Sequence, residues 1–305
     1  MTVALETTDL GRSYGDRWAL RHCTMQIQPG RVVGLVGANG AGKTTLLLLA
    51  TGLLTQSEGE VRVLGLSPLR EQKQLLPRVG FVAQDHPLYP GFRVEEMVQL
   101  GRHLNPDRFD VSVALRRLSD ADIPLRRRVG KLSGGQQAQV ALALALALAK
   151  RPELLFLDEP VASLDPLARR EFLRVLMDAV AADGLAVLLS SHLVSDLQRV
   201  CDELIVLAHG GVQAAGDVED LLAEHHLLTG PTVGVGPIER VTEVIQAQHT
   251  GRQSTLLIRG RVQLLNPAWR CEPVALEEMV LAYLNRDPAA PQPSAQPFVR
   301  KGDRR

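Results

Sequence analysis

The chain has 305 residues and sets 34 Lys and Arg against 34 Asp and Glu, a length that suits about two domains. A balanced charge lacks the basic footprint of a nucleic-acid-binding protein, so no nucleic-acid partner is expected. Hydrophobic residues at 45% against 22% charged exclude a disordered chain. Cys23, Cys201 and Cys271 lie far apart without CxxC spacing, which excludes a disulfide framework and a zinc site. All three read as small buried hydrophobes in a reducing compartment. Met1 to Glu6 shows neither the basic segment nor the apolar stretch of a secretory signal. The longest apolar run, Val140 to Ala149, has 10 residues, whereas a membrane-spanning helix needs about 20. The chain is therefore not expected to cross a membrane by itself.

Short apolar runs alternate with helical patterns up to about residue 210, which predicts an α/β core around a buried, mainly parallel sheet. Val32-Val33-Gly34-Leu35-Val36 reads as a buried strand that runs straight into a glycine-rich turn. Residues from about 85 to 150 read mainly as helices. Within them, Ala141 to Ala149 alternates Ala with Leu, the period of a strand, but both residues are strong helix formers and a buried helix is predicted. Leu154 to Leu157 is a second strand ending on Asp158, and Ala186 to Leu189 a third ending near His192. Past about residue 220 the pattern changes. Breaks come at Gly230-Pro231 and from Gly234 to Pro237, a strand at Thr255 to Ile258. Leu276, Met279, Val280, Tyr283 and Leu284 then fall at helical spacing, predicting an amphipathic last helix. These signals divide the chain into residues 1–220, a smaller 221–285, and a tail at 286–305 whose prolines predict disorder.

Three constellations carry chemistry. The turn after the first strand, Gly37-Ala38-Asn39-Gly40-Ala41-Gly42-Lys43-Thr44-Thr45, fits GxxxxGK[ST]. Such glycines let backbone N–H groups wrap a polyphosphate at the positive end of the following helix, with Lys43 reaching the β- and γ-phosphates and the Thr44 hydroxyl placed for Mg²⁺. Asp158-Glu159 closes the second strand, and parallel sheets deliver their strand ends to the ligand crevice. There Asp158 would hold Mg²⁺ through water, and Glu159 would accept the proton of an attacking water. The third is Leu132-Ser133-Gly134-Gly135-Gln136, a hydroxyl and glycine N–H groups at a helix start, which makes a second anion site.

The third motif is similar to the LSGGQ signature of the ATP-binding-cassette (ABC) ATPases, and it stands shortly before the Asp158-Glu159 strand as in that family. The resemblance covers roughly residues 3 to 215. It implies a P-loop NTPase core with an antiparallel β subdomain, a helical signature subdomain at about 85–150, and a small α+β carboxyl-terminal extension. It also implies two ATP molecules buried in a head-to-tail dimer, the Lys43 loop of one copy facing the Ser133 loop of the other. ATP contacts would then come from Gly37, Asn39, Gly40, Gly42, Lys43, Thr44 and Thr45 on one side, and from Ser133, Gly134, Gly135 and Gln136 on the other. Four more positions match the family singly. Gln84 resembles the glutamine that senses Mg²⁺ and the attacking water, and His192 the switch histidine at the γ-phosphate. Asp165 resembles the aspartate that crosses the dimer interface, and Tyr14 the aromatic that stacks on adenine. The catalytic set is thus Glu159, His192 and Gln84, and the Mg²⁺ set Thr44, Gln84 and Asp158. The chain departs from the family at Gln139, where a basic residue is common, and at Ser163, often Gly; neither removes a phosphate contact.

With one copy of each motif, such a cassette is expected to drive a separate multi-spanning permease from the cytoplasmic face of the membrane. Leu88 and Tyr89 are expected to be exposed and to suit the permease's coupling helix. The segment ending Leu276-Glu277-Glu278 resembles the extension of export cassettes for drugs, antibiotics, lipids or polysaccharides. Export is the expectation; an importer subunit, or a soluble cassette without a permease, is the alternative.

Overall fold

The computed structural model describes residues 3–148, 152–232, 243–262, 264 and 266–286. The chain divides into two compact units, Met1–Val212 and Gln213–Arg305. In chain order the first contains β1 (Leu5–Tyr14), β2 (Arg17–Ile27), β3 (Val32–Val36), α1 (Lys43–Ala50), β4 (Glu58–Val63), α2 (Gln72–Leu75) and β5 (Val79–Val82). It continues with α3 (Val94–Leu104), α4 (Val111–Asp120), α5 (Gly134–Ala147), β6 (Leu154–Asp158), α6 (Pro166–Asp183), β7 (Ala186–Ser191), α7 (Val194–Leu197) and β8 (Glu203–Ala208). β9 (Gly211–Asp217) runs across the boundary.

Six strands form the central sheet in the order β5-β6-β7-β3-β8-β9, with β5, β6, β7, β3 and β8 parallel. Every residue of β3, β6 and β7 is buried, which is why these strands read as continuous apolar runs with no alternation. His209 and Gly210, both at positive φ, make the two-residue turn between β8 and β9, a backbone that suits a tight hairpin. A three-stranded antiparallel sheet, β2-β1-β4, forms the second layer. Its Leu5, Leu10, Leu20, Cys23 and Ile27 share one core with Leu35, Leu46, Leu47 and Phe156.

The segment between β5 and β6 is helical, as its sequence predicts, and has its own core. Val94, Met97, Val98, Phe109, Leu118, Val129, Val140 and Ala143 bury together there. Ala141–Ala147 lies within α5, most of it buried; Ala149 falls outside the described residues.

In the second unit α8 (Val218–Glu224) precedes β10 (His225–Pro231), β11 (Glu243–Thr250), β12 (Gln253–Arg259), β13 (Arg270–Pro273) and α9 (Leu276–Leu284). The strands make an antiparallel sheet in the order β11-β12-β10-β13. Leu228, Val244, Leu256, Ile258 and Trp269 bury on it, and a Cβ at Gly230 would sit 2.2 Å from the Trp269 ring. α9 buries Leu276, Met279, Val280, Ala282 and Tyr283. The expected break at Gly234 to Pro237 and the expected tail at 286–305 lie outside the described residues, apart from Arg286. Among the described residues no helix is long and apolar enough to cross a membrane.

Two expectations are corrected. Cys23 is buried, with its thiol pushed up to about 11, whereas Cys201 is only half-buried at its surface, its thiol pushed up to about 12 by desolvation. Cys271, however, is exposed, because β13 is a four-residue edge strand with all its residues exposed. Tyr89 is exposed and tilts against Phe92 at 5.2 Å, whereas Leu88 is half-buried against the helical core.

Candidate active site

The strand order puts the carboxyl ends of β5, β6, β7 and β3 along one edge of the sheet, where α/β folds bind ligands. β3 delivers the glycine-rich turn. Gly42, at φ 106°, begins α1, and a Cβ there would meet the Ala19 carbonyl at 2.6 Å; only glycine fits that backbone and that approach. The first N–H groups of α1 have no partners inside the helix and face a negative ligand favourably. Lys43 is buried, and its ammonium donates to the Gly37 carbonyl at 2.7 Å. It also lies 3.1 Å from Glu159 Oε1.

β6 delivers the two carboxylates, Asp158 and Glu159, both buried. Glu159 has φ 47°, a left-handed backbone that costs a non-glycine residue about 1–2 kcal/mol and that structures retain where the surroundings over-determine it. Its N–H donates to Ser190 Oγ at 2.9 Å, and that hydroxyl donates to Asp158 Oδ1 at 2.8 Å. On the other side, the Pro160 carbonyl accepts from His86 Nε2 at 3.1 Å. Burial holds His86 below the usual histidine range, so it stays neutral with its proton on Nε2. β7 leads directly into His192, whose Nδ1 donates to Glu159 Oε2 at 2.7 Å. Glu159 Oε1 faces the Lys43 ammonium at 3.1 Å without a well-aligned hydrogen bond, and Oε2 is the oxygen that His192 engages.

Lys43, Glu159 and His192 line one open cavity of about 600 Å³, within the size range of small-molecule sites. Of the residues expected from sequence, Tyr14, Asn39, Gly40, Gly42, Lys43, Thr44, Thr45, Gln84, Glu159 and His192 line it. Gly37 and Asp158 are buried outside its lining. Tyr14 is 51% exposed, with the Arg12 guanidinium 4.9 Å from its ring centroid. Arg17, Trp18 and Ala19 of β2 complete the wall and were not read from the sequence. Their signal, a hairpin pairing Tyr14 with Arg17, depends on a register that bulges obscure.

Ser133, Gly134, Gly135, Gln136 and Asp165 do not line this cavity. Ser133 caps α5 in a reciprocal pair with Gln136: Ser133 Oγ accepts from the Gln136 N–H, and Gln136 Oε1 accepts from the Ser133 N–H. The Ser133 hydroxyl proton remains available to an anion. Gly135 is close-packed, since a Cβ there would lie 2.7 Å from Ala168 Cβ on α6. Asp165 caps α6, accepting from the N–H groups of Leu167 and Ala168 at 3.0 Å. The signature loop and the start of α6 are thus one packed surface, separate from the Lys43 crevice.

The residues fit a phosphate-bound Mg²⁺. Among the described residues no cluster of three His, Cys, Asp or Glu could hold a metal, and Mg²⁺ is held by few carboxylates together with substrate phosphates and waters. The Thr44 hydroxyl, the Gln84 amide and Asp158 are oxygen donors of that kind.

Residues 20–162 match the family model described as ABC transporter. A Nod factor export ATP-binding protein I of Sinorhizobium fredii is 36% identical over 231 residues, 73% of this chain and 65% of that protein, so the chain spans just under two thirds of that relative. The ABC transporter ATP-binding protein YtrB of Bacillus subtilis is 26% identical over 287 residues, 91% of this chain and 97% of that protein. The solved dimeric structure of MJ0796, a bacterial ABC transporter cassette, superposes with a TM-score of 0.62 at 26% identity, covering 70% of this chain and 98% of that one. The fold is that of a P-loop NTPase cassette, and the chain belongs to the family of ABC transporter ATP-binding proteins.

Proposed function

We propose that the chain is the ATP-hydrolysing subunit of an ABC exporter. Two copies bind ATP head to tail, and their closure drives a separate multi-spanning permease from the cytoplasmic face of the membrane. The observation that carries this reading is the cluster of Lys43, Glu159 and His192 at one crevice, with Ser133 on a different surface. Each copy then holds a complete phosphate loop and one unpaired signature, and the dimeric state of the solved cassette supports an assembly of two copies.

In this reading the α1 start and Lys43 bind the polyphosphate, and Tyr14, half of whose surface is exposed, stacks on the base. When bound, Mg²⁺ would neutralise charge developing on the phosphate oxygens, held by Thr44, Gln84 and Asp158. The Glu159 carboxylate accepts a proton as the water oxygen bonds to the γ-phosphorus and the bond to the ADP oxygen breaks. His192, fixed by its Nδ1–H to Glu159, presents Nε2 toward the phosphate. Ser133 donates from the second copy, and Asp165 lies beside it at the interface. Export is supported by the S. fredii relative, named for Nod factor export, and by α9, which carries the Leu-Glu-Glu helix expected of export cassettes. The test is affinity purification of tagged Glu159→Gln from detergent-solubilised native membranes in ATP. Recovery of a multi-spanning protein without a solute-binding protein is expected; recovery of a solute-binding protein would overturn export, and of soluble partners alone, the transporter reading.

A further inference from the structure

We infer that Ser190 is a positioning residue for the proton-accepting Glu159, acting through the backbone of the turn and not through the nucleotide. This deepens the ATPase reading and rests on it. Ser190 is fully buried at the end of β7 and pairs in register with Asp158 on the neighbouring strand β6. A serine here interrupts the apolar run of Ala186 to Leu189, and its hydroxyl uses both roles. It accepts the Glu159 N–H at 2.9 Å and donates its one proton to Asp158 Oδ1 at 2.8 Å. The charge of Asp158 thereby orients the hydroxyl so that its lone pairs face Glu159.

That contact holds a strained residue. Glu159 sits at φ 47°, and an extended backbone there would redirect its side chain away from Lys43 and His192. The carbonyl of Glu159 is engaged by the Ala162 N–H at 3.2 Å, and that of Pro160 by His86 at 3.1 Å. The N–H of Glu159 is the donor that enters this strained peptide from the strand side, and Ser190 is its acceptor. An apolar residue at 190 would leave a buried N–H without an acceptor, an arrangement that the turn can escape by abandoning its left-handed backbone. Ser190 does not line the nucleotide cavity, so ATP affinity should not depend on it.

The experiment compares wild type, Ser190→Ala, the nearly isosteric Ser190→Cys, Glu159→Gln and the Ser190→Ala/Glu159→Gln double variant as full-length proteins, by ATP turnover and by ATP binding. The cysteine variant, a weak hydrogen-bonding group of similar size, keeps the test decisive if the alanine variant does not fold. The expected result is a loss of at least about tenfold in kcat for both Ser190 variants. KM for ATP should stay within about twofold, since uniform binding is untouched. The double variant should hydrolyse no more slowly than Glu159→Gln alone. Full turnover in both Ser190 variants, or the same tenfold loss repeated on top of Glu159→Gln, would overturn the inference while leaving the ATPase reading standing. A wild-type protein that binds ATP without hydrolysing it would overturn both.

Discussion

A buried ammonium held between a backbone carbonyl and a carboxylate is costly unless something pays for its desolvation, and Lys43 is so placed. In the proposed reading, a bound polyphosphate supplies that compensation. Lys43→Ala should weaken ATP binding by about 100-fold, ~2.7 kcal/mol. It should also lower thermal stability, since Glu159 is left buried without its cation. Calorimetric titration beside a melting curve checks both, and ATP binding at wild-type strength would refute the assignment of the loop. Lys43, Asp158, Glu159 and Ser133 were legible in the sequence because each motif is local: residue type and spacing within one turn define its chemistry. Ser190 and His86 were not, because their partners lie 31 and 74 residues away. Only the parallel register of β6 beside β7 brings Ser190 to Glu159.

At the scale of elements, legibility followed burial. β3, β6 and β7 are buried throughout and stand out as apolar runs. β1 and β2 alternate imperfectly, because register shifts between Thr7, Leu10, Arg12 and Ser13 move side chains from one face to the other. Helix caps were also hidden beneath functional readings. Asp165 caps α6, so Asp165→Ala should cost about 1 kcal/mol of stability and Asp165→Asn only a few tenths. If its carboxylate also serves the dimer interface, Asp165→Asn should restore the melting temperature and not the turnover; recovery of both would confine Asp165 to capping.

A second element-scale prediction concerns pH. In the second unit, His225 donates from Nδ1 to the Leu221 carbonyl at 2.6 Å and accepts at Nε2 from the Tyr283 hydroxyl at 2.8 Å. Burial lowers the His225 pKa from 6.5 and pushes the Tyr283 phenol up to about 12. Protonating Nε2 would set two donors against each other. The unfolded chain therefore binds the proton more readily than the folded one. The stabilising contribution is complete above the ordinary value of 6.5 and is lost as pH falls from there toward the lowered value. The melting temperature should drop between pH 7.5 and 5.5, and His225→Gln should make the slope shallower. His86, also lowered by burial, contributes with the same sign. An unchanged slope in His225→Gln would show that the pair does not contribute.

At the scale of the molecule, the chain divides at Val212, within β9, where the sequence placed the change of pattern at about residue 220. The first unit contains every residue assigned to nucleotide chemistry, and its two anion-binding features lie on separate surfaces. In the proposed reading, one copy alone cannot close a site around ATP, and two copies head to tail close two. The most direct measurement of this account is the mass of full-length Glu159→Gln by light scattering, with and without millimolar Mg²⁺-ATP. The account predicts a monomer without nucleotide and twice that mass with it, reversed when Ser133→Arg places a large cation on the signature surface. A protein that binds ATP at the Lys43 loop and still keeps the monomer mass would contradict it.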